Sequence, residues 1–253
     1  MARYHRQLAA AALLLLLWQG IAWSGLWPAY LFPPPTDVGL TLWRLIATDE
    51  LAVAVLQTLK RIGIGFLIST LGGGLLGLAM ARSRPLSELI GPAVQGLQAM
   101  PSICWYPLAI LWVGWNEGAL LFVTIAGALF AIASATEAGI RNIPPSYLRA
   151  AATMGARGWR LYTRVVIPAA LPSLLTGLRL GWSFAWRSLM AAELLFLNLG
   201  LGHLLAMGRD LGDAAQVMAV ILVILLVGVL VDRVCFARAE RALRRRWGLE
   251  TAA

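Results

Sequence analysis

Twenty consecutive residues from Ile62 to Ala81 carry no charged side chain, and the same is true of the twenty from Leu8 to Trp27. About 20 apolar residues in a helix cross the roughly 30 Å hydrocarbon core of a bilayer. Inside lipid the backbone must satisfy its own hydrogen bonds, so helices or closed barrels are the available forms. The composition agrees, with 60% hydrophobic and 13% charged residues, against roughly 45–50% and about 25% in soluble globular chains. A soluble core has no room for that excess of apolar surface. The chain is therefore an integral membrane protein, and its net charge of +9 does not call for a nucleic-acid partner.

The same ruler gives six spans, at about 8–27, 62–81, 89–115, 118–136, 171–196 and 214–231. The expected fold is an all-α polytopic membrane protein, with residues 1–253 as one transmembrane domain. Pro92, Pro101 and Pro107 predict a kinked or broken third span. Basic residues mark the cytoplasmic side. With the N-terminus inside, that side holds fifteen arginines, at positions 3, 6, 82, 84, 141, 149, 157, 160, 164, 233, 238, 241, 244, 245 and 246. The other side holds four basic residues, Arg44, Lys60, Arg61 and Arg209, so both termini are expected in the cytoplasm. A cleavable leader is the rival reading of the first stretch, since Arg3 and Arg6 precede an apolar run ending near Ala22-Trp23-Ser24. The length of that run, with Trp18, Trp23 and Trp27, favours a retained helix. Residues 48–61 read as an amphipathic helix on the outer surface.

Several chemistries are excluded early. Lys60 is the only lysine and no Gly-rich loop surrounds it, so the chain supplies no P-loop for ATP. Cys104, Cys235, His5 and His203 form no metal-binding spacing. The second span carries a small residue every fourth position, at Gly65, Ser69, Gly73, Gly77 and Ala81. Such a face lets a neighbouring backbone approach closely, and both static packing and a sliding surface fit it. In the fifth span, Arg187 and Glu193 are about 240° apart on one helix. They cannot pair with each other, so both are candidate pathway residues, with an interhelical structural bond as the alternative.

The segment 137–170 between the fourth and fifth spans is Arg-rich yet patterned. Pro144-Pro145 stops what precedes it, Ser146 suits an N-cap, and a short helix is expected over Tyr147–Met154, closed by Gly155. Tyr147, Ala150, Ala151 and Met154 share one face with small residues at its centre, a form suited to docking in another protein's groove. A second amphipathic piece, Gly158 to Val166, carries a basic stripe of Arg157, Arg160 and Arg164, for which anionic lipid or a protein partner are both open. Ile167-Pro168 is expected to break it before the fifth span.

The stretch Leu148-Arg149-Ala150-Ala151, then Gly155, then Val165-Val166-Ile167-Pro168 resembles the EAA loop of binding-protein-dependent ABC importer permeases. That pattern is Glu-Ala-Ala, three residues, Gly, nine residues, Ile, one residue, Leu-Pro. Every spacing matches, with Arg149 in place of the glutamate, Val165 of the isoleucine and Ile167 of the leucine. Pro33-Pro34-Pro35, Arg61-Ile62-Gly63-Ile64-Gly65-Phe66, Pro107-Leu108-Ala109-Ile110-Leu111-Trp112, Thr176-Gly177-Leu178-Arg179, Ala191-Ala192-Glu193 and Gly200-Leu201-Gly202 extend the likeness over nearly the whole chain. Together they resemble the branch importing nitrate, sulfonates, taurine or bicarbonate.

The resemblance implies a pathway formed by two copies of the chain, a homodimer, in the bacterial cytoplasmic (inner) membrane. Two cytoplasmic ATPase subunits would sit beneath it, holding ATP and magnesium, with no cofactor on this chain. A periplasmic substrate-binding protein would deliver a small anionic solute. Helix Tyr147–Met154 would be the coupling helix, and Tyr147, Leu148, Arg149, Ala150, Ala151, Met154, Gly155, Ile167 and Pro168 the ATPase-coupling residues. The chain itself would not be an enzyme. An ion-coupled secondary transporter is the competing class, which usually shows internal repeats and buried carboxylates. Glu193 is the one carboxylate expected well inside a span, and no repeat is evident.

Overall fold

The structure, a computed structural model, describes residues 2–28, 30–196 and 198–246. All regular structure among them is helical. The elements are α1 (Ala2–Trp23), α2 (Pro35–Ala47), α3 (Glu50–Arg82), α4 (Arg84–Ala99), α5 (Trp105–Val113) and α6 (Glu117–Arg141). They continue with α7 (Pro145–Thr153), α8 (Gly158–Leu161), α9 (Ile167–Glu193), α10 (Leu201–Asp210), α11 (Ala214–Val231) and α12 (Ala237–Arg246). Four helical stretches are long and apolar enough to cross a membrane: Glu50–Arg82, Glu117–Arg141, Gly158–Glu193 and Ala214–Leu243. The pair α4 and α5 makes a fifth if counted as one span, bent by 96° at the break. The expected first span falls on α1, whose described apolar part, Ala12–Trp23, is shorter than a full span. Many large apolar side chains face outward, among them Leu67, Leu71 and Leu75 of α3 and Leu225 and Leu226 of α11, as a lipid solvent requires.

Three local expectations are corrected. No separate helix covers 48–61: from Glu50 to Arg61 there is no Gly or Pro to stop a helix, and α3 runs unbroken into the span. The turn instead falls at Asp49, at φ +60, whose carbonyl accepts the Val53 amide at 3.0 Å; Asp is among the residues that tolerate this conformation. Nor does Ile167-Pro168 break the chain, because α8 passes into α9 through a wide π-turn over Tyr162–Val166. Pro168 lacks an amide for the carbonyl four residues back and its ring crowds that carbonyl, and the wider turn opens the helix there. The third span does break, at Pro101, where an extended Met100–Pro101 link leads into a tight turn at Ser102–Cys104. Pro92 sits inside α4 without ending it.

The chain divides into two compact units, Lys60–Ala192 with Gly228–Ala253, and Met1–Leu59 with Glu193–Val227. In the first of these, α6 is the central element, with Leu120, Val123, Ala128, Ile132 and Ala133 fully or nearly fully buried. Gly65, Gly73 and Gly77 of α3 lie against Thr124, Ile132 and Thr136 of α6. A Cβ at Gly77 would strike the Ala133 carbonyl. The Ser69 hydroxyl donates within its own helix to Gly65 O at 2.8 Å and reaches Ile125 O of α6 at 3.3 Å. Ala81 ends the stripe, half-buried. The other flank of α6 receives α9, with Gly177 on Ala135, Gly181 on Ile132 and Ser173 on Gly139. Small residues at both seams allow dispersion contact at backbone range, the main attraction available between helices in lipid.

In the other unit, α2 buries Val38 and Leu45, and its N-terminus is set by Pro35, whose fixed φ suits a first helical position. Trp18 Nε1 of α1 donates to Pro33 O at 3.1 Å. Phe196, Leu201, Leu204 and Val220 form the apolar interior with Ala54, and Gln216 Nε2 donates to Leu204 O at 3.0 Å.

Candidate functional site

The segment after α6 folds around a small core of Ile143, Val166 and Ala170, joined by Leu148, Leu161 and Tyr162. Helix α7 sits on that core. It begins two residues earlier than expected, at Pro145 with Pro144 as its cap, so Ser146 lies inside the first turn and caps nothing. Its end is as the sequence suggests. Gly155 has φ +80, its amide donates to Ala152 O at 3.0 Å, and the Ala156 amide donates to Ala151 O at 2.9 Å. This paired closure leaves few helix-end carbonyls unsatisfied and fixes the chain direction after α7.

The face of α7 is different from the one expected. Ala151 is 6% exposed and, with Leu148, points into the protein's own core, whereas Tyr147 is 52% and Met154 87% exposed. Tyr147, Ala150 and Met154 therefore make the outward face, with one alanine rather than two at its centre. Arg149, Gly155 and Ile167 are also exposed, and Pro168 is half-buried in the first turn of α9. The stripe of Arg157, Arg160 and Arg164 is exposed along its length. The Arg82 guanidinium at the end of α3 lies 5.2 Å from the centre of the Tyr162 ring. Arg141 donates to Met80 O at 3.2 Å and pairs with Glu137 at 3.3 Å. The first of these contacts ties the loop to the end of α3, and the Arg141–Met80 bond joins the ends of α3 and α6.

A cavity of about 330 Å³ opens beside the α4–α5 break, bounded by that turn, by Ala126 and Gly127 of α6, and by Phe184, Arg187 and Ala191 of α9. Gly127 is required where it stands, because a Cβ there would meet the Ser188 side chain. Arg187 donates from Nε to Ser183 O at 3.1 Å, and its guanidinium carbon lies 4.8 Å from the centre of the Phe184 ring. Among the described residues lining the cavity, Arg187 alone is charged.

Glu193 is not among the described residues that line that cavity. It is fully buried, and its carboxylate accepts the Thr58 hydroxyl at 2.9 Å and the Gly202 amide at 3.0 Å. Thr58 Oγ1 in turn accepts the Leu201 amide at 2.9 Å. The two side chains thus satisfy the first free amides of α10, with the negative group at the positive end of the helix. Gly200 and Gly202 permit this closeness: a Cβ at Gly200 would lie 2.6 Å from Glu193 Oε2, and one at Gly202 2.5 Å from Glu193 Cβ. A carboxylate so enclosed caps the start of α10.

Other paired charges were not legible in the sequence. Arg179 binds Asp232 through two bonds of 2.6 Å, and Arg61, 3% exposed, binds Glu117 at 3.0 Å. The partners lie 53 and 56 residues apart in the chain, beyond the reach of any local pattern.

Residues 73–245 match the family described as the binding-protein-dependent transport system inner membrane component. The chain is 33% identical over 219 residues to a permease protein of Escherichia coli strain K12 named for aliphatic sulfonates transport, covering 87% of this chain and 83% of that one. It is 27% identical over 237 residues to a nitrate import permease protein of a Synechocystis species, covering 90% and 85%. Its fold is like that of a chain of the MetNI methionine ABC transporter, solved in inward-facing conformations, with a TM-score of 0.67, 21% identity, and coverage of 78% of this chain and 97% of that chain.

Proposed function

The chain belongs to the family of binding-protein-dependent transport system inner membrane components, and on that premise we propose how it is powered and what it carries. It is a multi-pass permease subunit of an ABC importer, and the secondary-transporter alternative falls away with the family. In our reading two copies form the pathway as a homodimer, with both termini in the cytoplasm of a bacterial inner membrane. Two partner ATPases hold ATP and magnesium and do the hydrolysis, and a periplasmic binding protein delivers the cargo. That cargo is a small anion of the nitrate, sulfonate, taurine or bicarbonate class, in keeping with the names of the relatives.

The observation that carries the coupling assignment is the outward face of α7. Tyr147 and Met154 are large, apolar and exposed on a short helix whose far side is bonded into the protein's own core. A helix held rigidly on one side and open on the other transmits a push from whatever grips it. Closure of the ATPase pair would move α7, and the surrounding residues 148–155 with Ile167 and Pro168, as one piece. Ala150→Arg, at the centre of the open face, should abolish co-purification of the ATPase, while Ala152→Arg, also exposed but about 200° round the helix from Ala150 and outside the Tyr147–Ala150–Met154 face, should retain it. Equal retention by both variants in a folded permease would overturn the assignment.

A further inference from the structure

We propose that the cavity at the α4–α5 break is a recognition subsite for short-chain organic monoanions, with Arg187 holding the anionic head; this rests on the importer reading above. Arg187 uses Nε on Ser183 O and lies over the Phe184 ring. Among the described residues its two terminal nitrogens have no hydrogen-bond partner and no carboxylate opposes them. A planar guanidinium pinned at its base presents a fork that fits an oxyanion in two bonds. Arg187 is exposed at the mouth of the cavity, and a cation there with no counter-charge among the lining residues favours an anionic guest over a neutral one.

The rest of the cavity narrows the class. No carboxylate lines it among the described residues, so the ammonium of a zwitterion would meet only the repulsion of Arg187. Leu97, Met100, Ile103 and Trp105 supply apolar wall, and Gln98 and Ser102 supply the remaining polar groups. The volume, about 330 Å³, equals roughly eleven waters at about 30 Å³ each. A bare oxyanion would leave the apolar wall wet, whereas an anion with a short hydrocarbon tail would lay that tail on the wall and displace water from it. The head can be a sulfonate or a carboxylate, since both offer the same oxygens to Arg187.

Equilibrium dialysis of radiolabelled butanesulfonate against the assembled permease–ATPase complex, purified without binding protein, tests this directly. Saturable binding is expected, tightening about fourfold per methylene from methane- to butanesulfonate. Butanesulfonate and butanoate should displace the label, and nitrate and taurine should do so at least tenfold less well. Arg187→Met should weaken binding by about tenfold or more, with Arg187→Lys intermediate. No saturable binding to the wild type, affinity independent of tail length, taurine or nitrate competing as well as butanesulfonate, or an assembled Arg187→Met complex that binds normally would each overturn the subsite. If Arg187→Met does not assemble, the tail series and the taurine competition on the wild type decide alone. The importer reading fails separately, if vesicles holding the permease, ATPase and binding protein show no ATP-dependent uptake.

Discussion

Adding one methyl group at Gly77 should cost more than almost any other Gly→Ala change in α3. A Cβ there would collide with the Ala133 carbonyl and lie 2.7 Å from Thr136 Cβ. The first obstacle is backbone, so no rotamer change relieves it, and α3 must lift away from α6. Three residues earlier, a Cβ at Gly74 meets nothing within 4 Å. Both substitutions carry the same gain in helix propensity, at most about 1 kcal/mol. The difference between Gly77→Ala and Gly74→Ala therefore isolates the packing cost, expected at about 1–3 kcal/mol and toward the upper end. Equilibrium unfolding of the purified permease in mixed micelles of increasing denaturing detergent, followed by tryptophan fluorescence, gives that difference. Equal stability of the two variants would refute the close seam, and with it the reading of the small-residue stripe as a packing surface.

Two further outcomes follow from the buried polar groups and paired charges. Glu193→Ala strands the Gly202 amide and the Thr58 hydroxyl, and should lower stability by about 2–5 kcal/mol, with Thr58→Val costing about 1–3 kcal/mol; unfolding midpoints within error of wild type would show that α10 does not depend on this cap. A double-mutant cycle of Arg179→Gln and Asp232→Asn should give a coupling of about 1 kcal/mol, the upper end for partly exposed pairs because both bonds form at once, and strict additivity would mean the pair contributes nothing net.

The parts of the fold that rest on local composition could be read from the chain. Uncharged stretches located α3, α6 and α11, a long apolar run with few charges located α9, the prolines of the third span signalled its break, and Gly155 marked the end of α7, because each depends on a residue and its near neighbours. The stripe from Gly65 to Gly77 was visible for the same reason, though its partner was not: that α6 is the backbone it meets depends on packing. The long-range polar contacts were hidden. The capping contacts of Glu193 could not be foreseen, because hydropathy shows only that a charge sits in an apolar setting. Thr58, 135 residues earlier, supplies the partner that makes it a cap. Ala151 was misassigned to the outer face because helical spacing says which residues share a side and not which side meets the core. The continuous α8–α9 junction was missed because proline removes a hydrogen bond without dictating how the neighbouring turn adjusts.

That junction also sets a mechanical advantage. With the π-turn in place of a break, residues from Gly158 to Arg187 form one lever, about 44 Å long at 1.5 Å per residue. Tilting such a lever by roughly 5° about its Gly158 end sweeps the Arg187 end through about 4 Å, more than the length of a hydrogen bond. The amplification comes from length alone, so under the proposed coupling a small stroke at the loop would be enough to make or break contacts at the cavity. A flexible hinge at Ile167-Pro168 would have absorbed the same stroke.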